Sequence, residues 1–116
     1  MKTRVCVAVG AAALLAAAEA CSGERGELGA AATRGRQTYQ NVCIACHHAD
    51  PNLDGTLGPA SAGASLELLR AKVLRGEYPA GYAPKRPGSV MPQYPYVEER
   101  IPDLAAYLAE VAKRGR

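Results

Sequence analysis

Apolar residues recur at helical spacing in two segments of the chain. In the last part they fall at positions i, i+3, i+4 and i+7: Leu104, Tyr107, Leu108 and Val111. This spacing is typical of an amphipathic helix with one buried face. Leu66, Leu69 and Val73 predict a second helix, for which Ser65 is the expected N-cap and Gly76 the expected C-terminal stop.

The segment between these helices has no periodicity. Residues 77–96 are dense in Pro, Gly and Tyr, which predicts an irregular loop. No part of the chain shows the alternation of apolar and polar residues that is typical of strands. The predicted fold class is therefore all-α, with three to five short helices.

The core is small for a chain of 116 residues. The hydrophobic fraction is 48%, but Ala supplies much of it, and the chain has six Tyr and no Phe or Trp. A small domain with so few bulky side chains buries too little apolar surface to be stable alone. A cofactor, a metal or disulfides are expected to complete the core. The net charge of +3 is small and the basic residues are scattered, which argues against a nucleic-acid-binding surface.

The N-terminus resembles an export signal. Lys2 and Arg4 precede a 14-residue apolar run, Val5 to Ala18, and Ala18-Glu19-Ala20 offers the small-x-small pattern of a signal-peptidase site. We expect residues 1–20 to be a signal peptide and the remainder to reach the bacterial periplasm. An uncleaved membrane anchor is the alternative, although the run is shorter than the ~20 residues of a spanning helix.

Cys21 follows this site directly. The sequence Ala-Glu-Ala-Cys resembles a bacterial lipobox, although Ala18 stands where Leu is usual and Glu19 is an unusual occupant. We expect Cys21 to be lipidated, with residues 21–30 as a flexible tether that attaches the domain to a membrane. Ordinary cleavage before a chance Cys is the alternative.

Apart from Cys6 in the predicted signal peptide, the remaining cysteines form the motif Cys43-Ile44-Ala45-Cys46-His47. C-x-x-C-H is the attachment site of c-type haem, because two thiols one helical turn apart can reach the two vinyl groups while the adjacent His reaches the iron. A redox C-x-x-C would need a βαβ pattern, and a zinc site would need a second ligand pair. A disulfide across three residues would be strained. The motif therefore predicts covalent haem on Cys43 and Cys46, with His47 as an axial ligand.

Met91 is the candidate for the other axial position. Apart from Met1 it is the only Met, and it lies 44 residues after His47 in a Pro-flanked segment. A thioether suits the iron of an electron-transfer haem, whereas a core gap-filling role is the alternative. His48 follows His47 too closely to reach the opposite haem face and is predicted to be a surface residue.

From about Ala31 to Ala112 the chain resembles a small class I c-type cytochrome, and we place the domain at residues 31–113. The resemblance rests on Gly35 to Tyr39 before the haem motif, Gly55 to Pro59 after it, the pair Met91-Pro92, and Leu104 to Leu108. It implies the cytochrome c fold, in which the helices wrap one covalently bound haem and the N- and C-terminal helices cross.

The resemblance also implies particular contacts. Tyr107 would pack near Gly35, and the Pro59 carbonyl would accept the Nδ1 proton of His47 so that Nε2 faces the iron. Family C-terminal helices often begin near Val97, but Pro102 belongs in a first turn. We therefore expect the regular helix to begin near Glu99–Ile101. A Tyr of the 77–96 loop, Lys85 or Arg86 could donate to a haem propionate.

These features together predict a monohaem electron carrier that is not an enzyme. It would exchange single electrons with a redox protein donor and acceptor outside the cytoplasm, as a monomer or in a complex. A haem subunit of a larger oxidoreductase is the first alternative. A haem peroxidase or gas-binding sensor is the second, and it would need an open axial position.

Overall fold

A computed structural model describes residues 27–88 and 91–116. The predicted signal peptide, residues 1–20, and the candidate lipidation site Cys21 lie outside the described residues. The same holds for residues 22–26 of the predicted tether and for Ser89 and Val90, which precede Met91.

The described part of the chain is helical and contains no strand, which confirms the all-α prediction. Helix α1 (Ala30–Thr38) continues into a π-helical turn, Tyr39–Cys43. Helix α2 (Leu66–Leu69) continues into a second π-helical turn, Arg70–Leu74. A 3₁₀-helix, Pro95–Arg100, leads directly into helix α3, Ile101–Arg114.

Helices α1 and α3 cross at Gly35. A Cβ atom at this position would overlap the backbone carbonyl of Asp103 and approach the backbone nitrogen of Leu104. The missing side chain therefore lets the two backbones touch. Beside the crossing, the Arg34 guanidinium binds both carboxylate oxygens of Asp103, at 2.7 and 2.8 Å.

The core lies between helices α1 and α3 and two segments that pack on them, namely α2 with its π-helical turn and the 3₁₀-helix. Its largest fully buried side chains come from the first π-helical turn, the 3₁₀-helix and α3: Tyr39, Val97, Ile101, Leu104 and Leu108. The rings of Tyr39 and Tyr107 pack at a tilt of 56° with centroids 5.7 Å apart, one helical turn beyond the contact of Gly35 with α3. Both tyrosines are thus core residues, as the helical spacing predicted for Tyr107.

The predicted helix boundaries agree with the structure at several points. The Ser65 side chain accepts a hydrogen bond from the Leu68 amide at 3.1 Å and so caps α2. Gly76 has a φ of +70° and ends the middle helix. Regular α-helix begins at Ile101 with Pro102 in its first turn, within the predicted range.

Two boundaries differ from the predictions. The sequence predicts an irregular loop at residues 95 and 96, but these residues begin the 3₁₀-helix, which buries the side chain of Val97 against the core. Residues 27–30 were assigned to the tether. Leu28 instead packs against the core, α1 begins at Ala30, and Arg114 donates to the Glu27 carbonyl at 3.1 Å.

None of the helices in residues 27–88 and 91–116 is both long enough and apolar enough to cross a membrane.

Candidate metal centre

The C-x-x-C-H segment follows directly from the first π-helical turn. That turn ends at Cys43, and the backbone amides of Cys46 and His47 both donate to the Cys43 carbonyl, at 3.2 and 2.9 Å. These bonds wrap the chain through one more helical turn. Three residues of separation therefore bring the two cysteines back to the same side of the chain.

Both cysteines are unbridged, partly buried thiols. Burial raises the pKa of the Cys43 thiol to about 11, because desolvation penalises the thiolate. Cys43 also packs against the hydrophobic core. A raised pKa makes the reactive thiolate scarce at neutral pH, which disfavours a redox C-x-x-C site.

His47 is fixed by the loop that follows the motif. Its Nδ1 atom lies 2.8 Å from the Pro59 carbonyl oxygen. Since a carbonyl can only accept, Nδ1 carries the proton and Nε2 keeps its lone pair. This is the contact that the family resemblance implied, and it leaves the Nε2 lone pair free for the predicted bond to iron.

Two glycines let that loop approach the motif. A Cβ atom at Gly58 would come within 2.5–2.7 Å of the His47 ring, and one at Gly55 would come within 2.6–2.7 Å of backbone atoms from Cys46 to His48. The Gly58 amide donates to the Cys46 carbonyl at 2.9 Å. The imidazole is therefore packed against backbone, with no space for a side chain between them.

Tyr39 fixes the other end of the motif. Its hydroxyl group donates to the His48 carbonyl at 2.7 Å and accepts from the Ser61 hydroxyl group at 3.3 Å. This contact was not predicted from the sequence. The only feature of the sequence that pointed to a role for Tyr39 beside the motif was the position of an aromatic residue four places before Cys43.

The imidazole of His48 is directed to solvent, as predicted. The residue is exposed, and its Nδ1 atom accepts a hydrogen bond from the Asp50 amide at 2.9 Å. Nδ1 is therefore engaged in a local turn next to the motif.

Met91 is half-buried and packs against the core. The segment that follows it is held on the second π-helical turn, because the Tyr94 amide donates to the Val73 carbonyl at 2.7 Å. The Gln93 side chain also donates to the Arg75 carbonyl at 2.9 Å. These contacts keep Met91 at the edge of the core, and its role as an iron ligand stays a prediction.

The donor set fits c-type haem. It comprises the thiols of Cys43 and Cys46 on one side of the chain, the His47 imidazole with a defined tautomer, and the Met91 thioether. Partly exposed apolar side chains such as Val42, Leu74 and Tyr94 extend the edge of the core. Such surfaces suit the faces of an apolar macrocycle. Across the described ranges, no three His, Cys, Asp or Glu side chains are grouped so that they could hold a metal ion, so no zinc cluster of the usual kind is present there.

A family model described as cytochrome c matches residues 32–112. No curated protein and no solved structure matched the chain.

Proposed function

This chain belongs to the cytochrome c family, and from that premise we propose that it carries single electrons between redox proteins outside the cytoplasm. Membership in the family implies covalently bound haem c with its iron. When bound, this group supplies a one-electron iron couple. The protein's own residues attach the group, orient it and exclude water.

In this proposal Cys43 and Cys46 form the two thioether bonds. His47 Nε2 and the Met91 sulfur would hold the iron of the haem group. With both ligands supplied by the protein, the group would serve electron transfer rather than substrate binding. Since Met/His ligation also raises the reduction potential, this set of residues favours an electron carrier over a haem peroxidase or gas sensor.

The observation that carries the proposal is the hydrogen bond between His47 Nδ1 and the Pro59 carbonyl, at 2.8 Å. It fixes the tautomer and restricts rotation of the ring. A histidine held in this way would keep its orientation in both oxidation states of a bound iron. Electron transfer would then need little reorganisation of this side chain.

The test is expression together with the haem-maturation machinery, followed by haem staining of a denaturing gel. Wild type should retain the stain, whereas the Cys43→Ser/Cys46→Ser double variant should lose it. A redox titration of the wild type should then show one reversible one-electron step. Haem that separates from the wild-type band would refute covalent attachment, and a second redox step would refute the monohaem assignment.

The proposed location is the periplasm, with attachment to a membrane through lipidated Cys21. Two signals, such as two acyl chains, anchor a protein stably where one chain is marginal. Cys21→Ser should therefore move the protein from the membrane pellet to the soluble periplasmic fraction. A soluble wild type with an unmodified Cys21 by mass spectrometry would refute lipidation.

A further inference from the structure

The hydroxyl group of Tyr39 lies between two segments that hold His47 in place. It donates to the His48 carbonyl at 2.7 Å and accepts from the Ser61 hydroxyl group at 3.3 Å. His48 follows His47 directly, and Ser61 lies two residues after Pro59. One oxygen atom of a buried side chain therefore joins the backbone beside the imidazole to the segment whose carbonyl accepts from it.

These contacts lie where residues 48–61 leave the haem motif and return to it, and we call this segment the 48–61 loop. The Ser61 and Ala62 amides both donate to the Pro51 carbonyl, at 2.9 Å each, and Pro51 is buried. Backbone hydrogen bonds thus close the loop at its base. The Tyr39 hydroxyl group adds one bond at each end of the loop.

The same loop contacts the imidazole. The Pro59 carbonyl accepts from His47 Nδ1 at 2.8 Å. A Cβ atom at Gly58 would come within 2.5–2.7 Å of the His47 ring, so the loop backbone lies directly against it. A movement of the loop base would therefore change the hydrogen bond at Nδ1.

The position of the Tyr39 hydroxyl group is set by the core. Tyr39 is 1% exposed and lies in the π-helical turn that ends at Cys43, and its ring packs against that of Tyr107. Arg86 also donates to the loop, at the Gly55 carbonyl, but its side chain is 36% exposed. A donor that is locked by packing positions its acceptor more precisely than an exposed, flexible side chain does.

Packing alone does not account for this hydroxyl group. A Phe ring would fill nearly the same space, and burial of a hydroxyl group costs free energy unless the group is hydrogen-bonded. Tyr107 gives a direct comparison, because it is also buried but its hydroxyl group makes no hydrogen bond within residues 27–88 and 91–116. Of these two packed tyrosines, Tyr39 is the one whose hydroxyl group binds the backbone beside the motif.

We propose that Tyr39 is a positioning residue for His47, and that its hydroxyl group holds the base of the 48–61 loop so that the Pro59 carbonyl stays on Nδ1. This inference rests on the proposed function, in which His47 is an axial ligand. Tyr39 acts on the imidazole through the loop backbone and is not itself a ligand. Loss of the hydroxyl group should weaken the hydrogen bond at Nδ1 and leave the haem attached.

The experiment follows the His47 Nδ1 proton by NMR in the reduced, haem-loaded protein. Its exchange with solvent should be about tenfold faster in Tyr39→Phe than in wild type, since one buried hydrogen bond no longer opposes local opening of the loop. Its resonance should also move upfield, because the chemical shift of a donor proton falls as its hydrogen bond weakens. Tyr107→Phe is the matched control, since it removes the other hydroxyl group of the same ring pair, and it should change neither quantity.

Two variants at Ser61 test the link to the loop separately from the bond to His48. Ser61→Ala removes the hydroxyl group that donates to Tyr39. It should accelerate exchange of the Nδ1 proton by a smaller factor than Tyr39→Phe, because the bond it removes is the longer of the two. Ser61→Thr keeps a hydroxyl group and should retain the wild-type exchange rate.

Ile101→Val separates positioning from general stability. Ile101 is buried in the core, so its truncation lowers the free energy of unfolding and leaves the hydroxyl group of Tyr39 in place. A purely stabilising role predicts that Ile101→Val and Tyr39→Phe accelerate Nδ1 exchange in proportion to their losses of unfolding free energy, with no change in chemical shift. Positioning predicts that Tyr39→Phe exceeds this proportion and that it alone of the two moves the resonance.

An unchanged exchange rate and resonance in Tyr39→Phe would overturn the inference and leave the proposed function intact. Equal changes in Tyr107→Phe would also overturn it, since the effect would then come from the ring pair and not from the bond to His48. Loss of covalent haem from the wild type would instead refute the proposed function itself. If Tyr39→Phe fails to fold, Ser61→Ala and Ser61→Thr decide the matter, and equal exchange rates in these two variants would overturn the inference.

Discussion

The hydroxyl group of Tyr39 donates a hydrogen bond to the backbone carbonyl of His48 at 2.7 Å. Tyr39 is only 1% exposed, and it lies in the π-helical turn that leads into Cys43. The contact therefore joins the two ends of the segment that contains both cysteines and His47. Burial raises the pKa of the Tyr39 hydroxyl group further above neutral pH, so the donor proton of this bond is present throughout the neutral range.

Tyr39→Phe should destabilise the folded protein by about 1–2 kcal/mol, because the carbonyl of His48 loses a buried donor. Covalent haem should be retained, since the thiols are unchanged. Denaturant unfolding of the haem-loaded proteins measures the difference. Tyr96→Phe is the matched control, since Tyr96 is 71% exposed, and an equal loss in both variants would contradict the role of the Tyr39 bond.

Gly35→Ala should destabilise the protein by about 3 kcal/mol, because its methyl group would overlap the Asp103 carbonyl and force the helices apart. Gly29→Ala is a suitable control, because φ at Gly29 is −58° and no atom lies within 4 Å of the added Cβ. Thermal unfolding of both variants checks the prediction. An unchanged midpoint for Gly35→Ala would show that α1 and α3 do not cross there.

The pair of Arg34 and Asp103 predicts a pH dependence of stability. The hydrogen bond and charge of Arg34 lower the pKa of the Asp103 carboxyl group. Its stabilising contribution is therefore present above the unfolded pKa of about 3.9 and is lost as the pH falls through the lower folded value.

Asp103→Asn should accordingly be less stable than wild type at pH 7, and the difference should shrink as the pH falls below about 4. The effect should be small, since the Arg34 side chain is 59% exposed. Urea unfolding over a pH series measures it, with Glu99→Gln as an exposed charge-matched control. A difference that grows at acid pH would contradict the sign of this argument.

Met91→Ala should lower the reduction potential and open the iron to carbon monoxide. A thioether favours ferrous over ferric iron, so its loss should shift the potential by on the order of 200 mV, or about 5 kcal/mol. Haem staining should persist, because Cys43, Cys46 and His47 are unchanged. The measurements are potentiometry and carbon monoxide binding on both proteins, and a wild type that binds carbon monoxide as readily as the variant would exclude Met91 as the ligand.

The sequence by itself determined the features that depend on neighbouring residues. Cys43, Cys46 and His47 lie within five consecutive positions, so a single helical turn sets their relative placement. The period of the apolar residues in α3 similarly predicted a buried face, and Pro102 predicted the start of regular helix. Ser65 and Gly76 marked helix ends because capping is a local interaction.

The 3₁₀-helix at Pro95–Arg100 and the two π-helical turns were not predictable in this way. Each spans only five or six residues, which is too short for apolar spacing to distinguish one helical period from another. In the 3₁₀-helix only Val97 is buried, so the segment has no repeat of apolar residues from which its helical period could be predicted. Packing of their buried side chains, Tyr39, Val73 and Val97 among them, on the rest of the core, rather than local preference, selects these conformations.

Only the tertiary structure decided how the motif is held. The contacts of His47 with Pro59, Tyr39 with His48, and Arg86 with Gly55 join residues that are 12, 9 and 31 positions apart. The family resemblance supplied the first of these, and no property of the residues themselves supplied the other two. The acceptors are backbone carbonyl groups in irregular loops. Because every residue type has such a group, the residue type at the acceptor position does not predict the bond. Such bonds form only where the fold brings a particular donor to a particular stretch of backbone.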